Sequence, residues 1–233
     1  MTASAADAVC PVMVFAKAPG EAKTRLIPAL GAAGAAALHR RLVVHCLRAA
    51  RDSRLGPVEL WCAPDTSDPF FRECERRHGA GLHAQGEGDL GARMRRAFES
   101  ALAHAARAII VGSDIPALSA RYLRDADRAL RRGDDAVIGP AEDGGYALIG
   151  LSRCDPGLFR DIPWGGPEVM AETRRRIAAL AWRSSELRVL WDVDRPEDLE
   201  RLTEEMRASF MPAAGGAGDR NGSGTPRSRG GLS

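Results

Sequence analysis

Two apolar runs in this chain carry no polar interruption, Val12-Met13-Val14-Phe15 and Ile109-Ile110-Val111. A strand with one wet face alternates apolar and polar residues, so unbroken runs are expected where both faces of a sheet are covered. Further strands are expected at Val58 to Cys62, Leu82 to Gln85, Asp135 to Gly139, Tyr146 to Leu151 and Leu187 to Trp191. Between them the pattern turns helical. From Ala32 to Arg51, Leu38, Leu42, Cys46 and Leu47 share one face; Leu90, Met94, Ala97, Phe98, Ala101 and Leu102 share another. Asp68 reads as the cap of a short helix to His78, and Ser119 as the cap of one to Arg132. Pro167 suits the first position of a helix carrying Val169, Met170, Ile177 and Leu180, and Pro196 opens a last helix from Glu197 to about Met206. Strands and helices that alternate in this way predict a single-domain, three-layer α/β/α fold with a mostly parallel mixed sheet, Rossmann-like in architecture.

In such a sheet ligands bind at the carboxyl ends of the strands. Ile109-Ile110-Val111-Gly112-Ser113-Asp114-Ile115-Pro116 puts a carboxylate there, because Pro116 has no N–H and bars a continuing ladder. Asp114 either serves a ligand or shapes the turn. Lys17 to Arg25, after the first strand, carries Lys17, Lys23 and Arg25, which suit a polyphosphate or form an exposed basic loop. It is no Walker A loop, since the first Gly and the Gly before Lys23 are missing. Gly86-Glu87-Gly88-Asp89-Leu90-Gly91 matches GxGxxG, yet Glu87 and Asp89 sit where a pyrophosphate would approach. The string suits a nucleotide base or sugar, or a helix entry with Asp89 as N-cap.

Asp194 follows the last expected strand. Its spacing to Glu197 is that of a capping box, although a carboxylate has acceptor sites to spare for a metal as well. Asp114 and Asp194 together with phosphates and water suit Mg²⁺ or Mn²⁺. Gly139-Pro140-Ala141-Glu142-Asp143-Gly144-Gly145-Tyr146 is a β-turn or a backbone surface for a hydroxylated group, with Asp143 or Glu142 to orient or deprotonate a hydroxyl. No GxSxG elbow or HExxH occurs. The five histidines read as packing or surface residues.

The net charge of +2 argues against nucleic acid or a membrane surface as partner. Arginine pairs such as Arg40-Arg41, Arg95-Arg96 and Arg131-Arg132 read as solvated helix faces. Five cysteines, none in a CxxC pair, argue against a zinc site or disulfide framework and fit a reducing cytoplasm. No signal peptide or membrane-spanning run is expected.

The motifs Val-Phe-Ala-Lys-Ala-Pro, Lys-Thr-Arg-Leu, Gly-Asp-Leu-Gly-x-Arg-Met, Gly-Ser-Asp-x-Pro, Gly-Pro-Ala-Glu-Asp-Gly-Gly-Tyr, Pro-Trp and Asp-Val-Asp-x-Pro-Glu-Asp-Leu occur in this order. Together they resemble a bacterial family of GT-A-fold nucleotide-diphospho-sugar transferases, some assigned to arsenosugar biosynthesis. More distantly the chain is similar to sugar-phosphate nucleotidyltransferases and phospholactate guanylyltransferase. The resemblance runs from about Val12 to Leu202 and implies a GT-A-like domain over residues 10–210; a flexible N-terminus (1–9) is expected before it, and the Gly-, Ser-, Arg- and Asn-rich composition beyond it predicts a disordered tail (211–233). It implies a nucleotide site of Ala16, Lys17, Lys23, Arg25, Gln85, Gly88 and Asp89, with Lys23 and Arg25 on the phosphates. Asp114 and Asp194 would hold the metal, and Glu142, Gly145, Tyr146 and Trp164 would serve the sugar or acceptor. The chain departs from the family pattern in its first loop, two residues shorter, and at Gly165-Gly166, where the family has Ser-Thr.

The activity implied is metal-dependent glycosyl transfer from a nucleotide-sugar to a small acceptor, with catalytic roles for Asp114, Asp143, Lys23 and Arg25. Nucleotidyl transfer with release of pyrophosphate is the second reading. A non-catalytic nucleotide-binding module is the third, and a dehydrogenase built on the GxGxxG string the last.

Overall fold

The computed structural model describes residues 9–211. Apart from Val9 and Met211, the terminal segments expected to be flexible or disordered lie outside the described residues. The strands are β1 (Val12–Lys17), β2 (Val58–Ala63), β3 (Gly81–Ala84), β4 (Ala108–Gly112), β5 (Ala136–Pro140), β6 (Tyr146–Leu151) and β7 (Ser184–Glu186). The helices are α1 (Ile27–Ser53), α2 (Pro69–His78), α3 (Leu90–Leu102), α4 (Ala120–Arg131), α5 (Val169–Ala179) and α6 (Glu204–Phe210).

One seven-stranded sheet runs β3-β2-β1-β4-β6-β5-β7. All neighbours pair parallel except those of β6, which is antiparallel to β4 and β5. The three-layer α/β/α arrangement with a mostly parallel mixed sheet is therefore the fold. Both faces of the sheet are covered, and the strand alternation sorts the core. Val12, Val14, Ile109 and Val111 pack on one side with residues of α1, α2 and α4. Met13, Ala108 and Ile110 pack on the other with α3 and α5. A third cluster, with Leu26, Leu38, Leu42, Val193, Leu202 and Phe210, ties α1 to the C-terminal segment.

Local chemistry explains the boundaries. Asp68, Asp89 and Ser119 each cap their helix by accepting a backbone N–H, from Phe70, Ala92 and Tyr122. α1 begins before the expected Ala32 and kinks at Gly31, whose φ is 68°.

Three expectations are corrected. The last strand is Ser184–Glu186, not Leu187 to Trp191. Beyond it the chain keeps contact with β5 by scattered bonds, Leu187 N–H to Ile138 O and Leu190 N–H to Pro140 O. Pro140, the last residue of β5, has no N–H to extend the ladder. α5 starts at Val169 rather than Pro167. Pro167 is instead pressed against Gly144, where a Cβ would lie 2.7 Å from its Cα and where φ is +89°. The last helix is a 3-10 turn, Pro196–Arg201, followed by α6, because Thr203 caps a fresh start through Met206 N–H.

Candidate active site

Six strands run one way and β6 against them, so the carboxyl ends of β1, β3, β4 and β5 and the amino end of β6 share one edge. Two adjoining cavities open there. The larger, of about 640 Å³, is lined by Ala16, Lys17, Lys23, Arg25, Gln85, Gly88 and Asp89, with Asp114 and Asp194. The smaller, of about 180 Å³, is lined by Asp143, Gly145, Tyr146, Trp164 and Asp192. Asp114, Gly112 and Leu90 line both.

Asp114 and Asp194 are 80 positions apart in the sequence, and the fold brings them together through Val193. The Val193 N–H donates to the Asp114 carbonyl at 3.1 Å, and its side chain is fully buried. Held at that point, the segment sends Asp194 to the larger cavity and Asp192 to the smaller. The cap expected of Asp194 and Glu197 is made by Asp198, whose Oδ2 accepts the N–H groups of Asp194 and Arg195 at 3.0 and 2.7 Å. The Asp194 carboxylate is thereby left to accept from Arg25 Nη1 at 2.6 Å.

Lys23 stands between the two carboxylates. Its Nζ is 3.0 Å from Asp114 Oδ2 and 3.8 Å from Asp194 Oδ1. Burial pulls the Lys23 pKa down, but the charge and hydrogen bond of Asp114, with the Asp194 charge, hold it above the ordinary lysine value. Burial likewise pushes Asp114 up, and the Lys23 ammonium outweighs it, leaving the carboxyl below the usual range. Two carboxylates on one cation form an all-oxygen donor set that suits a hard divalent ion.

Three residues of this site were missed from sequence: Asp192, His39 and Arg93, the last of which lines the larger cavity from α3. Asp192 is pushed up to about 6 by burial and by the charges of Asp114 and Asp143. Its signal was the Asp-Val-Asp alternation, which sends both acids to the side opposite a buried Val. His39, read as a packing residue, is 2% exposed yet lines the larger cavity. Its Nε2 lies 2.9 Å from the Lys17 carbonyl, which can only accept, so Nε2 carries the proton. Nδ1 is buried without a hydrogen-bond partner. Burial, with the Lys23 and Lys17 charges behind it, holds the His39 pKa below the ordinary imidazole value.

Other expected residues are differently employed. The Gln85 amide donates to the carbonyls of Trp61 and Ala16 at 2.8 and 3.3 Å, which ties β1 to β2. Glu142 lines neither cavity, because Arg201 grips its carboxylate at 2.8 and 2.9 Å. Asp143 lines the smaller cavity, with Oδ1 held by the Gly145 N–H at 2.9 Å. The GxGxxG string has the arrangement of a helix entry. Arg93 holds the Gly88 carbonyl, Arg96 holds those of Gln85 and Glu87, and Asp89 caps α3. Gly91 is the close-packing point, where a Cβ would lie 2.6 Å from Phe159 O and 2.7 Å from Trp164 Cζ2. Gly91→Ala is therefore expected to displace Trp164 from the smaller cavity and to cost about 1–3 kcal/mol. Thermal unfolding would read this as a lower Tm, and an unchanged Tm would contradict the packing described.

Among the described residues no helix is long and apolar enough to cross a membrane. Burial pushes the thiols of Cys10, Cys46, Cys62 and Cys74 up to about 12, so none is poised as a nucleophile.

A proposed nucleotide-diphospho-sugar transferase from Desulfovibrio desulfuricans G20 is 31% identical, covers 84% of this chain and 87% of its own, and superposes with a TM-score of 0.76. The inositol-1-phosphate CTP transferase of T. maritima is 9% identical over 87% of this chain and 95% of its own, with a TM-score of 0.57. Rv0371c from Mycobacterium tuberculosis H37Rv, in complex with manganese, is 17% identical over 83% and 97%, with a TM-score of 0.50. The last two share the fold alone. No curated protein matches. A family model matches residues 46–166. The chain thus has the fold of the nucleotide-diphospho-sugar transferases and belongs to the family described as uncharacterized protein conserved in bacteria (DUF2064).

Proposed function

We propose that this protein is a transferase that takes a glycosyl group from a nucleotide-diphospho-sugar and passes it to a small hydroxylated acceptor. The observation that carries this reading is the pair of cavities meeting at Asp114, one large enough for a nucleotide and lined by Lys17, Lys23, Arg25 and Arg93 as well as by carboxylates, the other small and bordered by Tyr146 and Trp164. The relative from D. desulfuricans, described as a proposed nucleotide-diphospho-sugar transferase, supports it.

In this reading Lys23, Arg25 and Arg93 bind the diphosphate as point charge and planar forks. The donor sugar lies towards Asp114, and the acceptor occupies the smaller cavity. Asp143 keeps Oδ2 available to orient the acceptor hydroxyl while Gly145 holds Oδ1. Tyr146 and Trp164, whose rings meet edge to face at 6.4 Å, shield the reacting centre from water. Asp114 and Asp194 would hold Mg²⁺ or Mn²⁺, and Rv0371c, which binds manganese, supports a divalent ion on this fold. Such an ion supplies Lewis-acid neutralisation of the departing diphosphate. His39 keeps the first loop in place through the Lys17 carbonyl.

Nucleotidyl transfer would use the same phosphate site with a different bond broken. A panel of nucleotide-sugars and nucleoside triphosphates, each with Mn²⁺ and small acceptors, separates the two. Acceptor-dependent release of a nucleoside diphosphate is the expected result. Release of pyrophosphate would contradict glycosyl transfer and establish the other reaction.

A further inference from the structure

A cavity of about 790 Å³ shares no lining residue with the candidate active site. It lies between α1 and α2. α1 contributes Arg40, Val44 and Arg48, and one position on, Arg41 and His45. Steps of four place each set on one side of a helix. α2 contributes Phe70, Cys74 and His78, with Glu73 and Arg77 alongside, and Ser209 of α6 completes the lining. Phe70 and Cys74 form an apolar floor at 6% and 1% exposure, and the Arg40 guanidinium lies 5.7 Å from the Phe70 ring centroid.

The charge of this cavity is unmatched. Arg77 pairs with Glu73 at 3.0 Å, but among the described residues no carboxylate reaches Arg40, Arg41 or Arg48. α1 has one acid, Asp52, and it is taken by Arg51 at 3.4 Å. Helical arginines elsewhere do pair, as Arg95 with Glu99, Arg128 with Asp125 and Arg176 with Glu172. Arg40 and Arg48 are exposed, as expected of a solvated helix face, and with the half-buried Arg41 they border a concavity. Burial and then the Arg48 charge lower the pKa of His78; burial and the same charge act on His45 too. Arg48 therefore lies within reach of both helices, and the field there is positive.

We propose that this cavity is a second ligand site, for a small molecule that carries at least two phosphoryl groups. Guanidinium groups match phosphate oxygens in pairs. Arg40 and Arg48 are eight residues apart, about 12 Å along the helix axis, so a ligand with separated charges meets both without either side chain folding toward the other. A polyphosphate chain or a bisphosphate spans that length, and the apolar floor accepts the body of the ligand. α1 is the common wall of both cavities, with His39 facing the active site and Arg40 facing this one.

Two probes distinguish the sources of the phosphoryl groups, inorganic tripolyphosphate and a sugar bisphosphate. Each is titrated calorimetrically at 150 mM salt without divalent metal, into wild type, Arg41→Gln/Arg48→Gln and Arg25→Gln. Equal Tm values for the double variant and wild type establish that the fold is kept. The proposal expects saturable binding of at least one probe, weakened at least tenfold in Arg41→Gln/Arg48→Gln and retained in Arg25→Gln. Unchanged affinity in the double variant, or no saturable binding of either probe to wild type, would overturn it. The test does not depend on the transferase reading, because Arg25 and not Arg41 or Arg48 belongs to that site.

Discussion

Asp114→Asn is expected to lower donor turnover by roughly 10²–10³-fold, the scale of losing one preorganised electrostatic partner in an active site. The fold should survive. Asn has nearly the same shape, its amide oxygen can still accept from Lys23 Nζ, and the Asp114 carbonyl that anchors Val193 is backbone. What disappears is a negative charge at the one carboxylate that borders both cavities. The loss should fall on kcat as well as kcat/KM, because the interaction grows with the charge developing on the leaving diphosphate. Initial rates measured beside Tm would test this. A drop below about tenfold, in a variant of unchanged Tm, would remove Asp114 from the chemistry.

Lys23→Met should give the second large effect, with its sign set by metal. Lys23 is buried, holds a left-handed conformation at φ 58° and neutralises Asp114 and Asp194 at once. Without it, Asp114 faces Asp194 with Arg25 left on Asp194 and no ammonium between the two carboxylates. Each is about a third exposed, at 35% and 34%, so solvent screens part of the repulsion. A loss of about 1–3 kcal/mol is expected, below the range for a fully buried broken pair. For a chain of this size that lowers Tm by roughly 2–4 °C per kcal/mol. Millimolar Mn²⁺ should restore the variant and shift wild type far less, because in wild type the ammonium already occupies the carboxylates. Equal Mn²⁺ shifts in both proteins would show that metal and ammonium do not share this position.

The parts of the site that sequence makes legible are those fixed by short-range rules. An apolar run ending in Gly-Ser-Asp-x-Pro can hardly continue as a strand, and Asp114 lies where that pattern puts it. Asp68, Asp89 and Ser119 cap their helices for reasons local to four residues. The parts that are hidden depend on contacts between distant segments. Asp194 and Glu197 have capping-box spacing, yet Asp198 wins the cap and frees Asp194 for Arg25 and Lys23. Asp192 becomes conspicuous only when Asp114 and Asp143, far away in sequence, converge on it. His39 looks like one more helix residue until the fold sets it under the Lys17 carbonyl. β7 is three residues of Ser-Ser-Glu with almost no strand signature, held by β5 rather than by its own preference. Glu142 was drawn toward the acceptor by its neighbours in sequence, and Arg201, 59 residues on, draws it away.

The central claim is that the larger cavity binds a nucleotide diphosphate with a divalent metal on Asp114. The most direct measurement is thermal unfolding of wild type and Asp114→Asn with UDP, GDP, CDP and ADP, each with and without Mn²⁺. A ligand at about 100 times its dissociation constant adds roughly 2.7 kcal/mol of stability, which a domain of this size reports as a shift of several degrees. The account predicts a Mn²⁺-dependent rise in Tm with at least one nucleotide in wild type and its loss in Asp114→Asn. Equal shifts in the two proteins, or no shift with any nucleotide, would contradict it.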